Sequence, residues 1–233
     1  MAVFTTKSYM TPSPRSQPVA PALFLDRDGV INHEVGYLSS PGDIRYVDGI
    51  VPLIATARAL GFRIIVITNQ SGIGRGYYTE DDFHRLMDHM RSYLHTQQAA
   101  FDAVYFCADH PLHGVGRYQR ESPLRKPSPG MLLQATTDHS LDLASSVLVG
   151  DRCSDIVAGA AAGVPYLFLL SGTESTPCPA IPRYTLVDRL EEVTNRLTEL
   201  FLPPTGVSLD RRIRRKTHRT TDVGSPNPVP VKK

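Results

Sequence analysis

The sequence predicts a doubly wound parallel α/β sheet, and three observations carry that expectation. Five short apolar runs, at 22–26, 64–69, 103–107, 147–151 and 166–170, lack the in/out alternation of half-exposed strands. Continuous apolar runs are expected of strands covered on both faces. Segments of helical period separate the runs, and strand–helix alternation argues for a parallel sheet. Polar residues then gather where the runs end, the edge at which such sheets hold ligands.

Taken in order, the chain opens with Pro12, Pro14, Pro18 and Pro21, so residues 1–21 read as a flexible extension. The first run ends in Leu25-Asp26-Arg27-Asp28-Gly29. About 20 residues then lead to a helix marked by Ile50, Leu53, Ile54, Ala57 and Leu60 and stopped by Gly61. The second run ends in Thr68-Asn69-Gln70-Ser71-Gly72. One helix follows, with Phe83, Leu86, Met87, Met90 and Leu94 on its apolar face and Thr79 placed to cap it. Neither connection has room for a large cap domain. After the third run comes Arg125-Lys126-Pro127, and Ser128-Pro129 is expected to open the next helix with proline in its first position. The fourth run ends in Gly150-Asp151-Arg152-Cys153-Ser154-Asp155. Asp188 with Glu191 resembles a capping box ahead of Leu190, Val193 and Leu197. The expected folded unit is 22–202, followed by a basic, proline-containing tail at 203–233.

Composition sets the class. The chain has 233 residues, 41% hydrophobic and 21% charged, which excludes a wholly disordered or fibrous protein. The longest apolar stretch, 164–170, is far short of the roughly 20 residues that span a bilayer, and no signal-peptide core precedes it. Three cysteines are too few for a disulfide scaffold, and Cys153 reads as a small buried residue. A cytoplasmic monomer is expected. The net charge of +2 divides unequally: the tail carries +6 and the rest −4, which gives no reason to expect a basic groove on the folded body.

Each polar cluster has a plain structural reading. Asp-x-Asp-Gly can be only a turn, Thr-Asn only a helix cap, Lys-Pro only solvated surface. Asp151 and Asp155 can simply cap a helix. Their joint occurrence at successive strand ends, in one order, favours chemistry.

This ordered set resembles the haloacid dehalogenase-like phosphohydrolase superfamily. The resemblance implies a Rossmann-like fold and a Mg2+-dependent phosphomonoester hydrolase. It makes Asp26 the nucleophile and Asp28 the acid and base, with Thr68, Arg125 and Lys126 completing the catalytic set. Mg2+ would be held by Asp26, Asp151 and the backbone carbonyl of Asp28, leaving the Asp28 side chain free. Thr68 and Asn69 donors would face the phosphoryl oxygens. The physics agrees: a carboxylate about 4 Å from a phosphate dianion is repelled by roughly 8 kcal/mol at an effective dielectric of 20, so a cation is required.

DRDGVIN, Glu34-x-Gly36-Tyr37, ITNQSGIGRG with Tyr78-Thr79-Glu80, RKPSPGM and VGDR are similar to one branch of that superfamily. It contains the heptose 1,7-bisphosphate and histidinol-phosphate phosphatases. The resemblance implies a phosphorylated sugar substrate, with removal of the C7 phosphate of D-glycero-D-manno-heptose 1,7-bisphosphate in surface-polysaccharide precursor synthesis. It makes Glu34, Val35, Gly36, Tyr37, Thr68, Asn69, Gln70, Ser71, Arg125, Lys126 and Arg152 substrate contacts. Histidinol phosphate, or a nucleic-acid 3′-phosphate, is the alternative substrate. Members of the branch often carry a Cys-x-His, Cys-x-Cys zinc loop. Here the corresponding positions are Cys107, Asp109, Ser122 and Leu124, so no zinc is expected.

Overall fold

The computed structural model describes residues 6–8, 19–172, 178 and 183–202. The basic tail at 203–233 and most of the proline-bearing extension lie outside the described residues. Among the described residues, seven strands form one sheet: β1 (Thr6–Ser8), β2 (Ala20–Leu25), β3 (Arg63–Asn69), β4 (Ala103–Cys107), β5 (Leu141–Gly150), β6 (Tyr166–Leu170) and β7 (Thr185–Val187). Their order is β1-β4-β3-β2-β5-β6-β7. All neighbours pair in parallel except β1, which runs antiparallel to β4. The strand at Thr6–Ser8 is a departure from the flexible extension expected at 1–21. Its three residues bond along the open edge of β4, from Thr6 opposite Tyr105 to Ser8 opposite Ala103. That backbone pairing leaves no apolar signature in the sequence.

Among the described residues, six α-helices accompany the sheet: α1 (Ile50–Ala59), α2 (Ser71–Gly74), α3 (Glu80–Thr96), α4 (Gly130–His139), α5 (Cys153–Ala162) and α6 (Leu190–Phe201). Successive strand residues feed opposite cores. Leu23, Leu25, Ile64, Val66, Val147 and Val149 pack with α1, α3 and α6. Ala22, Phe24, Ile65, Ile67 and Leu148 pack with Met131, Leu132 and Ala135 of α4 and Ile156 and Ala158 of α5. This two-sided burial is why the runs are continuously apolar. Among the described residues no cap domain interrupts the connections from β2 to β3 and from β3 to β4.

Thr79 caps α3 as expected, accepting from the Asp82 N–H while Asp82 accepts from the Thr79 N–H. Two other helix starts shift by one residue. Pro129 is the N-cap of α4 and not its first residue. At α6 the acceptor for the Asp188 and Arg189 N–H groups is Glu192, not Glu191. The sequence reading assigned Cys153 no partner; in the fold it is disulfide-bonded to Cys178, with Cα atoms 5.2 Å apart. Their separation of 25 residues hides the pairing from local pattern.

The chain leaves β2 toward β3 and β4, then returns to place β5 on the other side of β2. The carboxyl ends of β2 and β5 therefore flank a topological switch point, where open α/β sheets form their ligand crevice. Asp26 follows one of these strands and Asp151 the other.

Candidate active site

A cleft of about 660 Å³ opens at this switch point. Of the residues singled out from sequence, Asp26, Asp28, Glu34, Gly36, Tyr37, Thr68, Asn69, Gln70, Ser71, Arg125, Lys126 and Arg152 line it. Val35 does not; it faces a separate, smaller depression with Tyr37 and Leu38. Asp151 borders an adjoining cavity of about 680 Å³ that shares Glu34 and Arg152 with the cleft.

Gly29 follows Asp28 with a φ of +85°, and a Cβ there would come within 2.1 Å of Asp151 Oδ2. Only glycine meets both the left-handed backbone and the close approach. The β2 loop is thereby laid against the β5 carboxylate.

Lys126 is the cation of the floor. Its Nζ lies 2.9 Å from Asp26 Oδ1 and 2.6 Å from Asp155 Oδ1, and donates to the Ile67 carbonyl at 3.0 Å. Three oxygens thus surround the ammonium. Burial works against its charge, yet Asp155 and Asp26 outweigh it and hold the pKa above the usual lysine value. Asp155, absent from the sequence-derived site, is almost wholly buried and also accepts from the Arg152 N–H that starts α5. It sits four residues after Asp151 in the same motif, and that spacing was the available signal.

One carboxylate oxygen from each of Asp26, Asp151 and Asp155 falls within 4.8 Å of the others. Burial, then Asp155 and Asp28, push the Asp26 pKa up against the pull of Lys126. Burial, then Asp26 and Asp155, do the same at Asp151. Asp151 Oδ1 is buried without a hydrogen-bond partner. Hard oxygen donors, crowded and under-neutralised, fit a small divalent cation such as Mg2+.

The Asp28 side chain is not free, contrary to expectation. Oδ1 accepts from Arg27 Nε at 2.9 Å and Asn32 Nδ2 at 3.0 Å; Oδ2 accepts from Arg27 Nη2 at 2.5 Å and Gln70 Nε2 at 3.1 Å. Burial would raise its pKa, but Arg27 and these donors bring it below the usual carboxylate value. The Asn69 side chain is also engaged within the protein. Its Nδ2 donates to the Lys126 carbonyl at 3.0 Å and its Oδ1 accepts from the Lys126 N–H at 3.1 Å. Asn69 is thus the strut that fixes Lys126 against β3. Gln70 is likewise a strut: it donates to Thr68 Oγ1 at 2.8 Å and accepts from the Tyr78 hydroxyl. Sequence spacing missed the Asn69 role because Lys126 lies in another loop, and the Gln70 role because Asp28 does.

Toward the rim, Arg152 pairs with Glu34 at 3.3 Å, and Glu34 accepts from the Gly36 N–H at 2.8 Å. Burial and Asp28 raise the Glu34 pKa, while Gly36 and Arg152 oppose that rise. Arg125 donates to the Asp109 carbonyl at 3.1 Å, and the Asp109 carboxylate pairs with Arg120 at 3.0 Å. Farther along the same loop, Arg117 and Tyr118 both bond Glu80 of α3, and the Val115 N–H donates to the Gly74 carbonyl. Five further lining residues, Gly72, Arg75, Tyr78, His110 and Ser154, were not among the expected site residues.

The HAD-hydrolase-like family model matches residues 123–199. A D-glycero-alpha-D-manno-heptose-1,7-bisphosphate 7-phosphatase of Burkholderia mallei is 54% identical over 155 residues, 66% of this chain and 82% of that protein. The corresponding beta-anomer enzyme of Vibrio cholerae is 42% identical, covering 62% of this chain and 77% of its own. Among solved structures, a HAD-like phosphatase from Mesorhizobium loti aligns with a TM-score of 0.73 at 35% identity, over 85% of this chain and 95% of that one. The D,D-heptose 1,7-bisphosphate phosphatase of B. bronchiseptica, complexed with magnesium and phosphate, aligns at 0.65 and 26%, over 77% and 98%. Motifs, switch-point cleft and sequence identity agree: this chain belongs to the haloacid dehalogenase-like phosphatases, in their heptose 1,7-bisphosphate 7-phosphatase family.

Proposed function

We propose that the protein is a Mg2+-dependent phosphomonoester hydrolase that removes the C7 phosphate of D-glycero-D-manno-heptose 1,7-bisphosphate. The observation that carries the reading is the cluster of Asp26, Asp151 and Asp155 around Lys126, set where β2 and β5 diverge. The 54% identity to a heptose bisphosphatase supports the sugar.

In this reading Asp26 attacks phosphorus and carries the phosphoryl group as an aspartyl phosphate, which water then hydrolyses. Asp26, Asp151 and Asp155 supply the oxygens that would hold Mg2+. When bound, the ion offsets carboxylate–phosphate repulsion and polarises the phosphoryl oxygens. Lys126 presents fixed positive charge where charge gathers on the transferring group. The Thr68 hydroxyl, oriented by Gln70, faces the same group. Asp28 gives its proton to the leaving sugar oxygen and then takes one from the attacking water. Its carboxylate is held ionised by Arg27, so the proton must be acquired when substrate reorganises that pair. Glu34, Arg125 and Arg152 contact the sugar and its second phosphate from the rim. No large cap closes over the cleft, so loops read the substrate.

A phosphate-release panel with Mg2+, spanning sugar bisphosphates, sugar monophosphates, histidinol phosphate and nucleotides, tests the assignment. Heptose 1,7-bisphosphate is expected to give the highest kcat/KM. A preference for histidinol phosphate, or efficient release of 3′-phosphate from DNA, would overturn the substrate.

A further inference from the structure

A glutamine side chain has two amide hydrogens, and the floor of the cleft uses both of those on Gln70. Its Nε2 donates to Asp28 Oδ2 at 3.1 Å and to Thr68 Oγ1 at 2.8 Å. One oxygen belongs to the proposed acid and base, the other to the hydroxyl proposed to face the phosphoryl group. A reversed amide would set a carbonyl oxygen against the Asp28 carboxylate with no hydrogen between them. The nitrogen must therefore stay toward Asp28 and Thr68, and the amide oxygen points the other way.

That oxygen meets Tyr78, whose hydroxyl donates to Gln70 Oε1 in a buried contact. An amide oxygen only accepts, and a phenol keeps its hydrogen near neutral pH, so the direction of this bond is fixed. The direction passes along the chain. Thr68 Oγ1 accepts from Gln70, and its own hydrogen is then the one left to donate to a ligand oxygen.

The Tyr78 ring sits in a place made for it. It is 8% exposed. A Cβ on Gly72 would lie 2.3 Å from Tyr78 Cε1 and 2.9 Å from its Cζ. Gly72 is not among the glycines with positive φ, so space, and not backbone conformation, requires glycine there.

We infer that Tyr78 is a positioning residue for phosphoryl transfer. By anchoring the Gln70 oxygen it aims one amide nitrogen at two reacting side chains, Asp28 and Thr68. Without the phenol, Gln70 Oε1 loses that buried donor and the amide loses its third anchor. The inference rests on reading Asp28 and Thr68 as members of a phosphomonoesterase centre.

The test is a double-mutant cycle on the full-length protein, with Mg2+ and heptose 1,7-bisphosphate. Tyr78→Phe removes a single oxygen. It should lower kcat about tenfold, the scale of one buried hydrogen bond, with KM changed by less than about threefold. Gln70→Leu has no amide to orient, so adding Tyr78→Phe to it should change kcat by less than about twofold. Gly72→Ala keeps the hydroxyl but crowds the ring. It should lower kcat in the same way, and again only while Gln70 is present. Thermal melts establish that each variant keeps its fold. A Tyr78 that merely filled space would give a loss that persists in the Gln70→Leu background, together with a lower Tm, and that result overturns the inference. Unchanged kcat in Tyr78→Phe overturns it too. Failure of the underlying reading shows separately, as absence of Mg2+-dependent phosphate release by the unsubstituted enzyme.

Discussion

Arg27 and Asp28, adjacent in sequence, form a two-pronged ion pair in which the guanidinium Nε and Nη2 each meet one carboxylate oxygen. Arg27 is 1% exposed, so the pair is formed away from water. It holds the proposed acid and base in its ionised form, which sets a requirement on the pH dependence of turnover.

Lysine at position 27 keeps the charge but cannot span both oxygens. With fewer stabilising contacts the Asp28 pKa should rise. A general acid acts only when protonated, so the pH above which kcat declines should move upward in Arg27→Lys. Asp28→Asn should lower kcat by about 10² to 10⁴-fold. A pH–kcat profile decides the matter; an unmoved alkaline limb would separate Arg27 from the acid's control.

Lys126 is buried between two carboxylates. Removing one partner of a buried pair strands the other charge and costs about 3–5 kcal/mol. Lys126→Met should therefore lose stability on that scale in metal-free protein, read by urea denaturation, as well as turnover. Wild-type stability in this variant would mean that the ion pairs contribute nothing to the fold.

Chelation should stop phosphate release, and added Mg2+ should restore it. Binding to the folded state alone also raises stability, by about 2.7 kcal/mol at a hundredfold excess over Kd. A Mg2+-dependent rise in Tm is expected in the wild type and should vanish in Asp151→Ala. Persistence of that rise would place the ion elsewhere.

Asp109 joins two functions, its carbonyl accepting from Arg125 and its carboxylate pairing with Arg120. Arg120→Ala should loosen the loop and misplace Arg125. Loss of one such contact corresponds to a KM increase of about 3–10-fold, with kcat little changed. Arg120→Lys should recover part of the loss. Steady-state kinetics on the bisphosphate distinguishes this from general destabilisation, which would lower kcat and Tm together.

His139 ends α4 with its Nε2 buried and unpartnered. Burial, with a further contribution from Arg63, lowers its pKa below the ordinary 6.5. The unfolded chain therefore takes up the proton first as pH falls. Stability should decline as pH drops from about 6.5 through the lower folded value, and His139→Gln should flatten that decline. Urea midpoints measured down to about pH 5 in both proteins test it, with parallel curves as the contrary result.

The strands and their polar carboxyl ends could be read directly from the chain. Apolar runs long enough to be covered on both faces occur only where helices flank them, and Asp26, Thr68 and Asp151 stand at or just beyond such runs, with Lys126 in the loop between the third and fourth. Those properties are local, so sequence alone determined the sheet class, the reacting edge and the principal charged groups. The partners of those groups were not local. Asp155 meets Lys126, Asn69 braces Lys126 from 57 residues away, Gln70 reaches Asp28 across 42, and Cys153 finds Cys178. Each depends on strand register and loop path, which bring together side chains whose types, taken singly, suit many positions. The Thr6–Ser8 strand depends on backbone hydrogen bonding, to which side-chain pattern is blind. Sequence named the groups that carry charge; tertiary structure chose which charges answer one another, because a carboxylate or guanidinium acquires its protonation and aim from its neighbours in space.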